Sequence, residues 1–526
     1  MLFQTPLFFA FFAVLMPLYA LTMKRLRLQN AVVMVASYIF YAVWDLRFLA
    51  LIITATAVAF LTGWGASGAR IDRRQLVQAL VFLAIGCVAS LAPGLPGTGL
   101  YLAACAALGL AFPLFALVVN RLSPAARAQA SVYAGAIFNL ALLGFFKYFN
   151  FFSDSLVDLA RLAGTELGYV TLKVILPVGI SFFTFQKLAY IIDVKRRKVE
   201  PSRDIVQFGA FVAFFPQLVA GPIERAGHLY RQFDVPRRIT WHGVSSGGAL
   251  FLWGMYKKVV VADNLAPIAA RVFADPSSMT SGDLMVGLLA FTFQIFCDFS
   301  GYSDMARGIA RIMGLDLMIN FNIPYVSRTP SEFWERWHIS LSSWLRDYLY
   351  IPLGGNRGGT LLTYRNLFLT MLLGGLWHGA SWTFVAWGAF HGGILIAYRL
   401  LNIDRWLATQ PRQGAAAVVR NSGLIAVMFG LTMFGWLLFR AADLAAVGAF
   451  LAGLTAGTGW DAAPWGTLVF YLAPLLAVQA YQLWLRDLEF LPRLPAFPRL
   501  NAALFLVFSL VFLAPAATSA FIYFDF

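Results

Sequence analysis

The chain has 526 residues, of which 60% are hydrophobic and 12% charged, whereas soluble domains carry about 25% charged residues. This composition excludes an ordinary soluble protein and predicts an integral membrane protein. Lysine and arginine number 40 against 25 acidic residues, but they lie in short loops between apolar runs, where they set membrane orientation and do not indicate a nucleic-acid partner. The three cysteines are widely separated, so they predict neither a disulfide framework nor a metal site.

Apolar runs recur along the whole chain, and each is near the roughly 20-residue length that crosses a bilayer. We expect an all-α polytopic integral membrane protein in contact with membrane lipid, with about a dozen membrane helices plus re-entrant or interfacial helices. Basic residues cluster in alternate loops, at 24–27, 70–74, 121–127 and 195–198. These loops are predicted to be cytoplasmic, the loops at 92–99 and 153–168 to face outward, and both termini to lie outside.

One integral membrane domain over residues 1–526 is predicted, because no soluble linker or repeat divides the chain. Residues 1–170 have the pattern of scaffold helices, and residues 401–526 return to plain apolar helices. Between them, residues 171–400 are interrupted by Gly, Pro and polar side chains. Broken backbone at membrane depth must line a cavity or be buried by protein, so we expect the catalytic core in this middle part.

Two aspartates stand inside the apolar stretch "FCDFSGYSDMARG". Asp298 and Asp304 need partners in such surroundings, which Arg307 or a helix terminus could supply. We expect a structural task for them in preference to direct catalysis.

A dense polar cluster occupies the stretch "SEFWERWHISLSSWLRDYLYIPLGG". Thr329, followed by Pro330 and a glutamate, predicts a helix start, and Pro352 predicts its end. One aromatic face and one polar face are expected along this single helix. The polar face combines Glu335, His338, Ser342 and Arg346. An amphipathic helix lying at the membrane interface is the alternative interpretation.

Two further histidines, His378 and His391, lie in the apolar run 368–393. An ionisable group at such depth is by default a hypothesis of function. Gly374 and Gly375 precede His378 by one helical turn, so they either admit a substrate beside the ring or only let two helices approach closely. His391 is expected to be a packed, hydrogen-bonded histidine. The histidines lack the spacing of a metal site, and no metal is predicted.

The motifs "FPQLVAGPIER", "DFSGYSDMARGIARIMG", "NIPYVSRTPSEFWERWHISLSSWLRDYLYIPLGGNRGG" and "LGGLWHGASWTFVAWGAFHG" resemble those of the membrane-bound O-acyltransferases (MBOAT). The resemblance covers most of the chain up to about residue 400 and is greatest for the bacterial branch that acetylates alginate and other exopolysaccharides. It implies a funnel-like helical membrane protein of the bacterial inner membrane, in which the outward termini predicted from the charge pattern would lie in the periplasm. It also implies that His378 is the catalytic histidine and that His338 occupies the second signature position.

The chemistry implied by the resemblance is transfer of an acetyl group from a cytoplasmic thioester such as acetyl-CoA, a substrate and not a bound cofactor. His378 would be the general base. His338 would hold the acceptor or donor, or protonate the leaving thiolate. Supporting roles are assigned to Glu335, Ser342, Arg346, Trp377, Gly374, Gly375 and Asp298.

A periplasmic acetyltransferase partner and a polysaccharide acceptor are implied in addition. Two alternatives stay open: an acyltransferase for lipid, protein, peptidoglycan or teichoic acid acceptors, and a transporter of glycan or lipid, which would also need broken helices.

Overall fold

The computed structural model describes residues 1–91, 98–165, 176–411, 413–460, 463–516 and 521–522. Within these ranges every regular element is a helix, and no strand occurs. Seven helices are long and apolar enough to cross a membrane, or up to eight if the bent pair Trp382–Leu400 and Ile403–Thr409 is one span. The all-helical, multi-pass membrane fold predicted from the sequence is confirmed.

The sequence predicts about a dozen membrane helices, and within the described residues further apolar runs form helices of 10–17 residues. Three such helices are Pro6–Thr22, Leu444–Thr455 and Ala496–Phe512. The outward loop predicted at 92–99 lies outside the described residues except for its last two positions. Residues 166–168 of the second predicted outward loop and the last four residues of the chain also lie outside them.

The chain divides into two compact units. Unit 1 comprises Met1–Ser245 and Ile309–Leu317, and unit 2 comprises Ser246–Gly308 and Met318–Phe526. The helices that begin in unit 1 are α1 (Pro6–Thr22), α2 (Leu26–Ala42), α3 (Leu46–Ala66), α4 (Arg73–Ser90), α5 (Thr98–Asn120), α6 (Pro124–Leu143), α7 (Phe149–Leu162), α8 (Ile180–Lys195), α9 (Ile205–Ala213), α10 (Phe215–Leu218) and α11 (Trp241–Met255).

Contacts within unit 1 join loops that the charge pattern assigns to the same side of the membrane. Arg127 donates a hydrogen bond to the carbonyl of Gly68 at 2.7 Å, which links the first turn of α6 to the loop after α3. Arg27 pairs with Asp204 at 3.2 Å, which links the start of α2 to the segment after α8. In each pair the two linked segments therefore lie at the same end of the unit.

Unit 2 contains three of the five histidines, His338, His378 and His391. Its helices are α12 (Asp263–Ala274), α13 (Ser281–Ile312), α14 (Pro330–Arg336), α15 (Ile339–Leu345), α16 (Thr360–His378), α17 (Trp382–Leu400), α18 (Ile403–Thr409), α19 (Ala415–Arg440), α20 (Leu444–Thr455), α21 (Ala463–Leu485), α22 (Phe490–Arg493) and α23 (Ala496–Phe512). Helix α13 runs on into unit 1. Short π-helical segments follow α11 and α15, at Tyr256–Ala262 and Arg346–Tyr350.

The stretch predicted as one amphipathic helix is in fact two short helices, α14 and α15. The predicted start is confirmed, since the Thr329 side chain accepts the N–H of Glu332 at 3.2 Å and Pro330 is the first helical residue. The helix stops at Arg336, and His338 adopts a left-handed backbone with φ of 43°. The single polar face from Glu335 to Arg346 is therefore wrong, because the break changes the direction of the chain between its members.

The apolar run 368–393 is also divided. Helix α16 ends at His378, and α17 begins at Trp382. Between them Gly379 has an extended backbone, and a Cβ there would lie 2.0 Å from the ring of Phe384. Only glycine fits so close to that ring, so the break is held by packing and His378 stands at the end of its helix.

Candidate active site

The break before His338 is held by a neighbouring segment of unit 2. The N–H of Ile339 donates to the carbonyl of Asn320 at 2.9 Å, and the N–H of Asn322 donates to the carbonyl of Arg336 at 2.9 Å. Buried backbone groups at a helix end need such partners. A left-handed backbone at a non-glycine residue is uncommon and points to function when the surroundings impose it.

The Asn320 side chain also contacts the imidazole of His338. Its Oδ1 lies 3.1 Å from Nδ1 of His338, 2.9 Å from Oγ of Ser340 and 3.3 Å from the backbone nitrogen of Ser340. Its Nδ2 lies 3.3 Å from Oγ of Ser303 on α13. All four residues are buried. His338 is therefore fixed through both its backbone and its ring.

His378 lies in an aromatic enclosure. Its ring centroid is 5.0 Å from that of Trp377, 4.9 Å from Trp387 and 5.2 Å from Phe439. The side chain is only 3% exposed. Neither candidate catalytic imidazole points into lipid, which is a condition that a membrane-embedded acid–base site must meet.

Trp377 brings the two imidazoles together. Its ring centroid lies 6.1 Å from that of His338 and 5.0 Å from that of His378. Ring contacts continue through Trp387 to His391, at 4.9 Å and 4.5 Å. Residues distant in sequence thus form one aromatic cluster, and the shared catalytic site of His338 and His378 stays a prediction.

His391 is packed as the sequence predicts, but the hydrogen bond expected for it is not found at Nδ1 among the described residues. A Cβ on Gly435 would lie 2.9 Å from Nε2 of His391, so the ring occupies space that glycine leaves open. We assign His391 to the packing of the cluster.

The two glycines before His378 have different surroundings. A Cβ on Gly375 would lie 2.2 Å from the carbonyl oxygen of Phe384, whereas one on Gly374 would meet only the side chain of Leu345, at 3.2 Å. Gly375 therefore serves the close approach of α16 and α17, which was one of the two interpretations of the sequence.

The remaining supporting residues differ in position: Ser342 lies beside His338, to whose carbonyl its N–H donates at 2.9 Å, whereas the other two lie at the surface. Glu335 and Arg346 are exposed, and Arg346 pairs with Asp347 at 2.8 Å. Ser342 Oγ donates to the carbonyl of Trp337 at 3.1 Å, one turn after the break. The break before His338 separates Glu335 from Ser342 and Arg346, which a continuous helix would align.

Asp298 belongs to a buried ion cluster. Lys258 Nζ lies 2.8 Å from Oδ1 of Asp298 and 2.9 Å from Oδ1 of Asp263. The second oxygen of Asp298 accepts the N–H of Ile522 at 2.8 Å. These contacts are structural, as the sequence predicts for Asp298. Its principal partner, however, is Lys258, which the sequence analysis did not name.

Lys257 and Arg307 hold Asp304 at the side of a polar cavity of unit 2. Lys257 Nζ lies 2.7 Å from Asp304 Oδ2, and Arg307 lies 3.4 Å from Oδ1. Phe321 forms part of the wall of this cavity. Both lysines could have been found from the sequence, because the "YKK" that begins the π-helical segment lies in an apolar run. Charges buried in such a run require partners. The described residues contain no group of three or more side chains suited to bind a metal ion.

Fold and site together define a multi-pass membrane protein with two buried imidazoles on broken helices. A family model described as MBOAT, membrane-bound O-acyltransferase family, matches residues 178–439, which include His338 and His378. The chain belongs to this family and is an O-acyltransferase. This decides between the enzyme and the transporter that the sequence left open.

Among its relatives are proteins named probable alginate O-acetylase AlgI. That of Azotobacter vinelandii is 41% identical over 447 residues, which cover 84% of this chain and 76% of the relative. That of Pseudomonas aeruginosa is 40% identical over 445 residues, covering 84% and 73%. A peptidoglycan O-acetyltransferase of Helicobacter pylori is 36% identical over 372 residues, covering 65% and 68%.

Proposed function

We propose that this protein transfers an acetyl group from a cytoplasmic thioester donor such as acetyl-CoA, across the bacterial inner membrane, for O-acetylation of an extracytoplasmic polysaccharide. The observation that supports this proposal most directly is that two buried imidazoles, His338 and His378, pack on the indole of Trp377. The alginate O-acetylase relatives support a polysaccharide acceptor. Alginate or a related exopolysaccharide is the acceptor we favour.

The reaction needs a base, because a hydroxyl is a poor nucleophile until its proton is removed. In the proposed step the acceptor oxygen bonds to the acetyl carbonyl carbon and the carbon–sulfur bond breaks. The hydroxyl proton passes to His378, and the leaving thiolate takes that proton from His378 and departs as the thiol. Neutral imidazole is the side chain suited to this exchange near pH 7.

Burial of both rings supports a thioester substrate. His338 and His378 are 0% and 3% exposed, and a site that excludes water protects a thioester from hydrolysis. The exposed cations Arg346 and Arg357 would attract an anionic donor at the surface. Transfer to the polymer would be completed by a periplasmic acetyltransferase partner, with both termini of this chain in the periplasm.

Peptidoglycan is the second candidate acceptor, because the Helicobacter pylori relative carries that activity in its name. Lipid and protein acceptors stay alternatives, but none of the relatives described above is named for such an acceptor. Acetyl transfer to alginate oligosaccharides and to peptidoglycan fragments should be compared in the same membranes, with the periplasmic partner present. Preferential labelling of the peptidoglycan fragments would replace the acceptor proposed here and leave the enzyme class unchanged.

The test of the chemistry is acetyl transfer by purified protein in lipid vesicles supplied with radiolabelled acetyl-CoA. We expect His378→Ala to lower the rate of labelled product formation at least about 100-fold, with the melting temperature close to that of the parent. His242→Ala is the matched control, since His242 is an exposed histidine at the start of α11 and should retain parental transfer. Parental transfer by folded His378→Ala would remove His378 from the mechanism.

A further inference from the structure

The orientation of the Asn320 amide is fixed by one of its partners. The backbone nitrogen of Ser340, 3.3 Å away, can only donate a hydrogen bond, so the atom facing it must be the oxygen. The reverse orientation would place two donors face to face. The amide nitrogen then points to Ser303 Oγ at 3.3 Å, where an acceptor lone pair is available. The hydrogen-bond network therefore assigns Oδ1 to the side of His338.

The same oxygen determines which nitrogen of His338 carries the proton. Oδ1 of Asn320 has no hydrogen to give, so Nδ1 of His338, at 3.1 Å, must be the donor. Ser340 Oγ lies 3.4 Å from Nδ1, but its hydroxyl proton points to Asn320 Oδ1 at the shorter distance of 2.9 Å. The serine oxygen is thus a second acceptor for the Nδ1 proton. A neutral imidazole has one N–H, and Nε2 then carries the lone pair.

Packing keeps this arrangement in place. The ring of Phe299 meets the imidazole edge-to-face at 4.7 Å, and the ring of Phe321 lies 6.3 Å away, nearly parallel to it. The carbonyl of Asn320 also accepts the N–H of Ile339, which holds the left-handed backbone of His338 independently of the amide. Replacing only the side chain of Asn320 should therefore disturb the proton position more than the fold.

We propose that Asn320 is a positioning residue that holds His338 as the Nδ1–H tautomer, so that Nε2 accepts the hydrogen bond of the acceptor hydroxyl. This rests on the function proposed above and selects among the roles that the sequence left open for His338. An imidazole with its lone pair at Nε2 orients a hydroxyl. It cannot protonate a leaving thiolate through that atom unless it first gains a proton. His378 remains the base.

The proton position can be measured without any activity assay. The chain has 5 histidines, so the full-length protein labelled with ¹⁵N in its histidine rings and reconstituted in vesicles gives a tractable solid-state NMR spectrum. His338→Asn assigns the His338 signals by difference. We expect a neutral ring with protonated Nδ1 and unprotonated Nε2. A ring protonated at Nε2, or at both nitrogens, would overturn the proposal.

The role of Asn320 is tested by two variants in the same spectrum. Asn320→Ala should produce signals of the Nε2–H tautomer, because the 3.1 Å acceptor is lost and the Ser340 hydroxyl, no longer bonded to Oδ1, can donate to Nδ1. Ser303→Ala removes only the partner of the amide nitrogen and should leave Nδ1 protonated. A His338 signal that stays purely Nδ1–H in Asn320→Ala would show that another group sets the tautomer.

Kinetics supply a second readout. Asn320→Ala should lower kcat roughly 10- to 100-fold with KM for the donor little changed, as is typical when the partner that orients a reacting group is removed. The matched control is Asn264→Ala, an asparagine of α12 bonded to the carbonyls of Val260 and Leu513, for which we expect parental kcat. Parental kcat in Asn320→Ala would reject the positioning role while the acetyl transfer itself stands. If no transfer is measurable in the parent, the proposed function fails and the NMR result still decides the tautomer.

Discussion

Trp377 shows how much of the candidate site depends on single side chains. Its sequence position beside His378 made it a candidate, and its contact with His338 could not be read from that position. The indole is 4% exposed and contacts both imidazoles. The catalytic roles of the two histidines stay predictions, but their common neighbour is a geometric fact of unit 2.

His228 is the residue whose protonation should affect stability. In unit 1 its Nδ1 lies 2.8 Å from Glu224 and its Nε2 lies 3.4 Å from Asp316. Hydrogen bonds to Asp316 and then to Glu224 raise the pKa of His228 from 6.5 to about 10. A raised pKa means that the folded state binds the proton more tightly, so the stabilisation is complete below pH 6.5 and is lost as pH rises through about 10.

We predict that the parent melts at a higher temperature than His228→Gln in detergent near pH 6. This difference in melting temperature should shrink as the pH rises toward 10, over about four pH units. The effect should be small, since the ring is partly solvent-exposed and screening weakens such pairs. The comparison with His228→Gln cancels the titration of other groups. A difference that stays constant or grows over this range would contradict the assignment.

The packing of α16 against α17 is the element-scale feature on which the position of His378 depends. A Cβ on Gly388 would lie 2.6 Å from the carbonyl oxygen of Met371 and 2.8 Å from the Cα of Leu372. Backbone atoms cannot yield as a flexible side chain would. Any residue larger than glycine must therefore push the two helices apart and shift the end of α16.

We predict that Gly388→Ala lowers stability by about 1–3 kcal/mol and reduces acetyl transfer more than its loss of folded protein explains. Gly393→Ala in the same helix is the control, because nothing lies within 4 Å of the added Cβ and alanine favours a helix. Thermal melting and transfer per folded molecule would be measured for both. Equal behaviour of the two variants would contradict the close-approach explanation.

The helix breaks at His338 and Gly379 could not be predicted from the periodicity of the sequence. The helix start at Thr329 was predictable because its signal is local. The stop at Arg336 was not, since its backbone partners, Asn320 and Asn322, belong to another segment. Periodicity registers which residues are apolar, and it carries no information on a hydrogen-bond partner supplied from elsewhere in the chain.

Orientation in the membrane is a property of the whole molecule and remains a prediction. In a variant that lacks the native cysteines, Ala163→Cys at the end of α7 should react with a membrane-impermeant maleimide added outside. Arg196→Cys in a predicted cytoplasmic loop should react only after permeabilisation, because the basic loops set the orientation. Both positions are exposed. The reverse labelling pattern would invert the proposed topology and place the donor on the other side.

The sequence by itself determined the class of molecule: a helical membrane protein whose polar middle part carries the chemistry, with the two histidines of interest. Composition and local patterns suffice for this, because the bilayer imposes length and apolarity on every span. Only the tertiary structure decided that Trp377 joins the two imidazoles and that Asn320 orients one of them. The Asn320–His338 contact spans 18 residues of chain. It depends on a backbone break, and a break is set by packing and hydrogen bonds that no single stretch of sequence contains.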